Sequence, residues 1–565
     1  MKKLFKTFLY GTLLLMVTNT FAQRTIGDKY ADSVQRIRNN VRKIWIDQKK
    51  PTPTELEKSI EQLKSALTYL DQTEVKDVAQ GSSYLYNRKS DVYSSLLEMY
   101  TLNKQYDKAI DAFEKAYENA KWDRSGIEKD TIYKELVKLP KFITLTEKYK
   151  ARAALWKGDI FKTPYKPNLS DEEKVAGLSQ LWAQAKYNFV YLDRLTTDWN
   201  KTYLAYLPLV KATKSTKEYY RVLQQFYAQL HDGHTDVFPP AELVREFYAK
   251  PPVRTELIEG RVFITSVSSD SLQQNGIVPG LEILKIDGEP VMSYADKYIK
   301  PYLNSSTLQD LIARQFSTYL LRGDEFTPIS LELKDKKGKV WTTTLNRSGY
   351  KNLKKVPAME FKTIGDIGYL TINSFNDESI LKKYDSLFTT IANTKSLIID
   401  VRDNGGGEGA YGEYILRTLA NQTFNLAKGS TIRYEGQPVP GTNWVTRSMG
   451  STAPNKKNHY DKPIVLLIGP NTYSAAEDFT MQFDAMQRGK LIGLPTGGST
   501  GQPFSFDLPG GGSARVCAKK DTYPDGKEFV GIGIIPAITV TPTIKGLFEG
   551  KDETLMRALE FLSQK

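Results

Sequence analysis

Three kinds of hydrophobic pattern succeed one another along the chain. From 24 to 165, Leu, Tyr, Ile and Ala recur every three or four residues and strand-type alternation is rare, which predicts helices. Residues 90–120 read as one helix–turn–helix unit. Tyr93, Leu96, Leu97 and Tyr100 line its first helix, Leu102-Asn103-Lys104 turns, and Ala109, Ile110, Phe113 and Ala116 line the second. The Ala109-x3-Phe113 spacing is tetratricopeptide-like, since a small residue lets paired helices approach, and a plain helical bundle fits equally well. The segment holds no histidine, so its expected role is packing or partner contact.

Helical spacing returns over 172–230, from the acidic start Asp171-Glu172-Glu173 through Trp182, Tyr187, Trp199, Tyr203 and Tyr206. The amphipathic run Tyr219 to Leu230 breaks at His231-Asp232-Gly233-His234-Thr235 and then meets Pro239-Pro240. Between 252 and 345 the pattern is strand-like: Arg261 to Ile264, Glu282 to Ile286 and Ile329 to Leu333, with a tight turn at Asp287-Gly288. From 360 to 545 strands and helices alternate. Gly368 to Ile372 reads as a strand and Asp377 to Ala392 as a helix. Ser396 to Val401 and Pro463 to Ile468 are nearly continuous apolar runs, as in strands buried on both faces. A helix over Tyr411 to Leu419 follows the first run, and one starting near Ser474 follows the second.

The expected fold class is multidomain, in keeping with 565 residues. An N-terminal all-α region covers 23–165 and a helical segment carrying the histidine turn covers 166–250. A small β-domain covers 251–350, and an α/β core, with ligands expected where strand ends face helix starts, covers 351–565. Residues 1–22 stand apart. Lys2, Lys3 and Lys6 precede the apolar run Phe8 to Val17, and Thr20-Phe21-Ala22 offers small residues where a signal peptidase reads. They predict a cleaved secretory signal and an exported, periplasmic or secreted, protein; the alternative is an uncleaved anchor.

Charge and cysteine content narrow the picture. Cys517 is the single cysteine, so no disulfide forms within the chain, and its strand-like setting predicts a buried structural thiol. Net charge is +13, or about +10 once the three early lysines are removed. The lysines are dispersed among acids, which fits solvated surface and peripheral association with an anionic envelope. It does not fit a nucleic-acid track.

Two strand-to-helix corners carry the candidate chemistry. In Asp400-Val401-Arg402-Asp403-Asn404-Gly405-Gly406-Gly407, amides of Gly405 and Gly406 are candidate oxyanion donors. The same run also reads as a flexible turn, and no Lys-Ser/Thr pair follows to make a Walker-type phosphate loop. In Gly469-Pro470-Asn471-Thr472-Tyr473-Ser474-Ala475-Ala476-Glu477, Ser474 is either an N-cap completed by Glu477 or a nucleophile with the Ala475 amide at the oxyanion. A serine nucleophile needs a base, and only His231, His234 and His459 exist. His459 lies in a lysine-rich polar stretch. His231 and His234, three apart with Asp236 nearby, also form a candidate metal pair. His234, in a glycine-permitted turn, is the preferred base. The acid candidates are Asp521, Asp525 and Glu528, with Glu528 ranked first.

The order of these motifs resembles the tricorn-core and C-terminal-processing serine peptidase family over about residues 170–545. Asp232-Gly233-His234-Thr235 resembles its histidine motif, and residues 261–288, with Gly276-Ile277-Val278-Pro279-Gly280, its PDZ domain. The two corners resemble its glycine and nucleophile corners. The resemblance implies a crotonase-like α/β core and a PDZ-like domain that captures substrate tails by strand addition at Arg261, Val262, Phe263 and Ile264. It implies hydrolysis of extended polypeptides through Ser474 with His234 as base, with no metal or cofactor. This chain departs from the family in three places. Ser499 stands where the dyad lysine of one branch falls, Gly233 where the other branch has an auxiliary serine, and Ala537 where the usual acid falls. A non-catalytic binding protein, and an esterase or amidase using the same serine, are the competing readings.

Overall fold

The computed structural model describes residues 26–47, 51–79, 85, 87–119, 127–154, 161–433 and 443–564. The signal-peptide reading of 1–22 lies outside them. The chain divides into two compact units, 1–157 and 158–565. No helix among the described residues is long and apolar enough to cross a membrane.

The first unit is helical, as its periodicity predicts. Helix Pro53–Leu70 begins with a Thr52–Glu55 capping box and Pro53 in its first turn, and it buries Leu56, Ile60, Leu63, Ala66 and Leu70 along one face. The hairpin read at 90–120 forms from Arg88–Leu102 and Tyr106–Asn119, turning at Lys104 with φ 58°. Ala109, Phe113 and Ala116 are fully buried at the seam.

In the second unit, helix Asp171–Asn188 starts on a Ser170–Glu173 capping box and packs with Trp199–Ala212 and Thr216–Ala228. The small β-domain is antiparallel, in the order Val253–Ile258, Arg261–Val267, Glu282–Ile286, Ile329–Lys334, Val340–Leu345. Asp287 and Gly288 both take positive φ (50° and 83°), as their tight hairpin turn requires. The first and last of these strands were not legible as strands.

The core sheet runs Met359–Ile364, Ile367–Ile372, Ser396–Asp400, Ile464–Ile468, Lys490–Gly493, Ile538–Thr539. All neighbours are parallel except the first pair. Every residue of Ser396–Asp400 and Ile464–Ile468 is buried, because alternate residues face different layers. Leu397, Ile399, Leu466 and Ile468 join the core with helices Ser379–Ala392, Gly409–Leu419 and Ala475–Ala485. Ile398, Val465 and Leu467 pack on Ala558 and Leu562 of the last helix, Glu553–Ser563.

Register then sets the site. Asp400 pairs with Leu467, so the glycine corner and the serine corner leave the sheet side by side. Arg402 braces the first corner, donating to Asp400 Oδ2 at 2.6 Å and to Asp552 Oδ1 and Oδ2 at 2.8 and 2.6 Å. A separate three-stranded sheet places Asp236–Phe238 against Ser513–Cys517, with Asp236 opposite Arg515, which carries the histidine turn to the core. Cys517 is buried there, as expected, and burial pushes its thiol pKa up.

Leu467→Ala opens space between the sheet and the last helix. The expected cost is about 2–5 kcal/mol, read as a lower urea midpoint for the unit 158–565.

Candidate active site

Ser474 sits where the strand Ile464–Ile468 hands over to helix Ala475–Ala485, with φ 56° and ψ −127°. A non-glycine residue in this region stores roughly 1–3 kcal/mol of strain. The surroundings fix it: Ser474 N–H donates to Ser499 O at 3.1 Å and Tyr473 N–H to Asn404 O at 3.0 Å. The Ser474 side chain caps nothing, so the N-cap reading fails. Its Oγ lies 3.0 Å from His234 Nε2.

His234 comes from a turn tied down on every side. Asp232 is buried and accepts from Thr235 Oγ1 at 2.7 Å and from Ser306 Oγ at 3.2 Å. Gly233 N–H donates to Ser306 Oγ at 3.0 Å, and Thr235 Oγ1 accepts from Cys517 N–H at 3.1 Å. The second ring nitrogen, His234 Nδ1, is 2.7 Å from Ser499 Oγ. Both ring nitrogens thus lie within hydrogen-bond distance of serine hydroxyls. Burial, helped by the guanidinium charges of Arg515 and Arg314, pushes His234 down to about 3.

A stack of rings backs the imidazole. Tyr473 lies parallel to it, with centroids 5.1 Å apart and planes 10° apart, and Arg314 covers the Tyr473 ring at 5.0 Å. Arg314 Nε is held by Asp310 Oδ1 at 2.7 Å. Gly233 makes room for this stack, since a Cβ there would lie 1.7 Å from Tyr473 Oη.

Glu477 was read as half of a capping box and is instead a buried brace. Its Oε1 accepts from Thr496 Oγ1 at 2.6 Å and Gly498 N–H at 2.7 Å, and its Oε2 from Ser499 N–H at 2.7 Å. Burial pushes its pKa up to about 8 against these three donors, which favour the ionised form. Ser499, read only as a vacated lysine position, is therefore the link between this carboxyl and the histidine.

Two expected placements are corrected. Glu528 is not beside His234. It is 45% exposed and paired with Lys520 and, at 3.1 Å, with Arg194, and these partners hold its pKa below the usual range. A basic neighbourhood captured it at the surface, where it lines a cavity of about 400 Å³ with His231 and Asp232. Strand Arg261–Val267, expected to receive an added strand, is interior. Val253–Ile258 pairs along it on one side, and on the other Ile264 N–H donates to Leu281 O and Gly280 N–H to Ile264 O, each at 2.8 Å. The side chain of Arg261 is engaged by Glu282. Val253–Ile258 is an edge strand, and its Arg254 reaches Asp403 in the glycine corner at 2.7 Å.

Among the oxyanion candidates, Gly406 packs against Ser474: a Cβ there would lie 2.7 Å from Ser474 Cβ. Its own N–H is spent on Asn404 Oδ1 at 2.9 Å. Gly405 and Ala475 flank the same corner.

Residues 366–540, which hold Ser474, Glu477, Ser499 and both corners, match peptidase family S41. A segment of the second unit is thus similar to peptidase family S41. Residues 171–228 match the tricorn protease C1 domain. The chain is 23% identical over 307 residues to a carboxy-terminal-processing protease of Bartonella bacilliformis, covering 52% of this chain and 61% of that protein. It is also 23% identical over 293 residues to a probable CtpA-like serine protease of Staphylococcus aureus, covering 51% and 52%. The match thus spans between half and two thirds of these relatives' length. Mature CPAF has a similar fold, with a TM-score of 0.55 at 16% identity over 70% of this chain and 97% of that one.

Two outcomes check the site. Ser499→Ala frees the imidazole to tilt and lowers kcat by about 10²-fold while KM holds. Gly233→Ala displaces Tyr473 and lowers the melting temperature; adding Tyr473→Phe removes the clashing hydroxyl and recovers part of the loss.

Proposed function

We propose that the protein is an exported serine endopeptidase that cleaves unfolded or extended polypeptides, including their C-terminal tails. The observation that carries this reading is the Ser474 Oγ–His234 Nε2 distance of 3.0 Å at a strained strand–helix corner. With His234 neutral, Ser474 donates its hydroxyl proton to Nε2 and Nδ1–H donates to Ser499 Oγ. As Ser474 Oγ bonds to the substrate carbonyl carbon, the proton passes to Nε2. The carbonyl oxygen, now negative, accepts from the amides of Ala475 and Gly405. Protonated His234 then gives its proton to the leaving amine as the C–N bond breaks. A water then gives a proton to Nε2 as its oxygen bonds to the acyl carbon, and Nε2 returns that proton to Ser474 Oγ as the acyl–oxygen bond breaks. Ser499 steadies the imidazolium, and Glu477 orients Ser499 through its amide. In this reading Glu477 acts one residue removed from the ring, in the place assigned by sequence to Glu528.

The domain assignments follow the same reading. The PDZ-like domain covers 251–350 and the peptidase core, read as crotonase-like, covers 351–565. The strand that receives an extended substrate is Val253–Ile258. Export rests on the leader-like residues 1–22 and on the similarity to carboxy-terminal-processing proteases.

Unfolded protein incubated with the wild type is expected to be cleaved, and Ser474→Ala and His234→Ala are expected to be inactive. Equal cleavage by all three overturns the proposal, and ester turnover without peptide turnover favours the esterase reading. The pH dependence has a definite sign. His234 is pushed down to about 3, so it stays a neutral base well below its ordinary value of about 6.5. Its protonation then leaves no acidic limb in kcat near pH 6. In the unfolded chain the ring takes a proton near that ordinary value, so its contribution to stability is present above it and is lost as pH falls towards about 3.

A further inference from the structure

A second cavity, of about 330 Å³, lies between helix Thr216–Ala228 and the PDZ-like domain, and neither Ser474 nor His234 lines it. Its volume is at the lower end of small-molecule pockets, which run from roughly 300 to 1,000 Å³. Two arginines set its character. Arg221 lies 4.1 Å over the Phe247 ring and 5.2 Å from that of Tyr302. Arg322 lies 4.1 Å over Tyr319 and 5.4 Å from Tyr248.

Neither arginine forms an ion pair among the described residues. Arg221 Nη1 reaches only Gln224 Oε1, at 3.4 Å, and Arg322 Nε is buried with no acceptor. The wall's acids are engaged elsewhere. Asp324 is held by Lys217 at 2.7 Å, and Asp287 accepts from Ser330 N–H at 2.9 Å. Asp236 accepts from Val237 N–H at 2.8 Å and Asn304 Nδ2 at 3.1 Å, and burial pushes it towards its neutral form. The third arginine, Arg347, donates to the backbone oxygens of Leu321 and Thr327.

A guanidinium stacked on a ring turns its N–H edge outward, and that planar fork matches a carboxylate. Buried cationic donors without acceptors are costly, and a ligand that supplies the acceptor removes the cost. Tyr248, Tyr302 and Tyr319 add flat rings to the wall, suited to a flat apolar body. We propose that this cavity binds a small aromatic carboxylate, with its carboxylate at the edges of Arg221 and Arg322 and its ring among Tyr248, Tyr302 and Tyr319.

The test is calorimetric titration of the full chain with benzoate, benzylamine and inorganic phosphate. Benzoate is expected to bind saturably, one per chain, at least tenfold more tightly than either other probe. The Arg221→Gln/Arg322→Gln double variant should lose at least tenfold in benzoate affinity. Absence of saturable benzoate binding overturns the proposal, as does benzylamine or phosphate binding as tightly as benzoate, or unchanged affinity in a folded double variant. Should the double variant not fold, Tyr319→Leu keeps both cations and is expected to weaken benzoate alone; unchanged benzoate affinity there overturns the placement of the ring.

Discussion

A neutral imidazole held at both nitrogens is the constraint on which the site depends. Ser474 faces one nitrogen at 3.0 Å and Ser499 the other at 2.7 Å. The ring can neither flip nor take up a proton cheaply, because it is buried beside two guanidinium groups. Around it the polar groups are braced in layers. Glu477 fixes the Ser499 loop, Asp232 fixes the turn, and the Tyr473–Arg314 stack closes the open face. Parts of the chain far apart in sequence supply these layers, so the geometry exists only when all are packed.

The α/β core was legible because its two central strands are apolar throughout, which only a sheet covered on both faces permits. The pairing of Ser474 with His234 was legible for a different reason. Few histidines exist, and one of them sits in a turn that glycine allows. Strand Val253–Ile258 was missed because few of its positions are apolar: Arg254 and Glu256, which pair with each other at 3.0 Å, alternate with Val253 and the polar Thr255.

Misreadings at the site share one cause: local motifs were trusted over burial. Ser474 to Glu477 has the spacing of a capping box, yet the carboxyl turns inward to three donors on a loop some twenty residues later. Glu528 has a suitable place in sequence, yet Arg194 and Lys520 hold it at the surface. Tyr473 and Gly233 became meaningful only together, since the missing Cβ of one is the space taken by the hydroxyl of the other.

The Arg402 clamp to Asp552 ties the glycine corner to the helix Glu553–Ser563, which covers one face of the core sheet. Asp552 is also the N-cap of that helix, its side chain accepting from Leu555 N–H at 3.0 Å. The outer layer and the corner beside Ser474 therefore share one carboxylate, and a shift of the helix on Ile398, Val465 and Leu467 is passed to the corner through it.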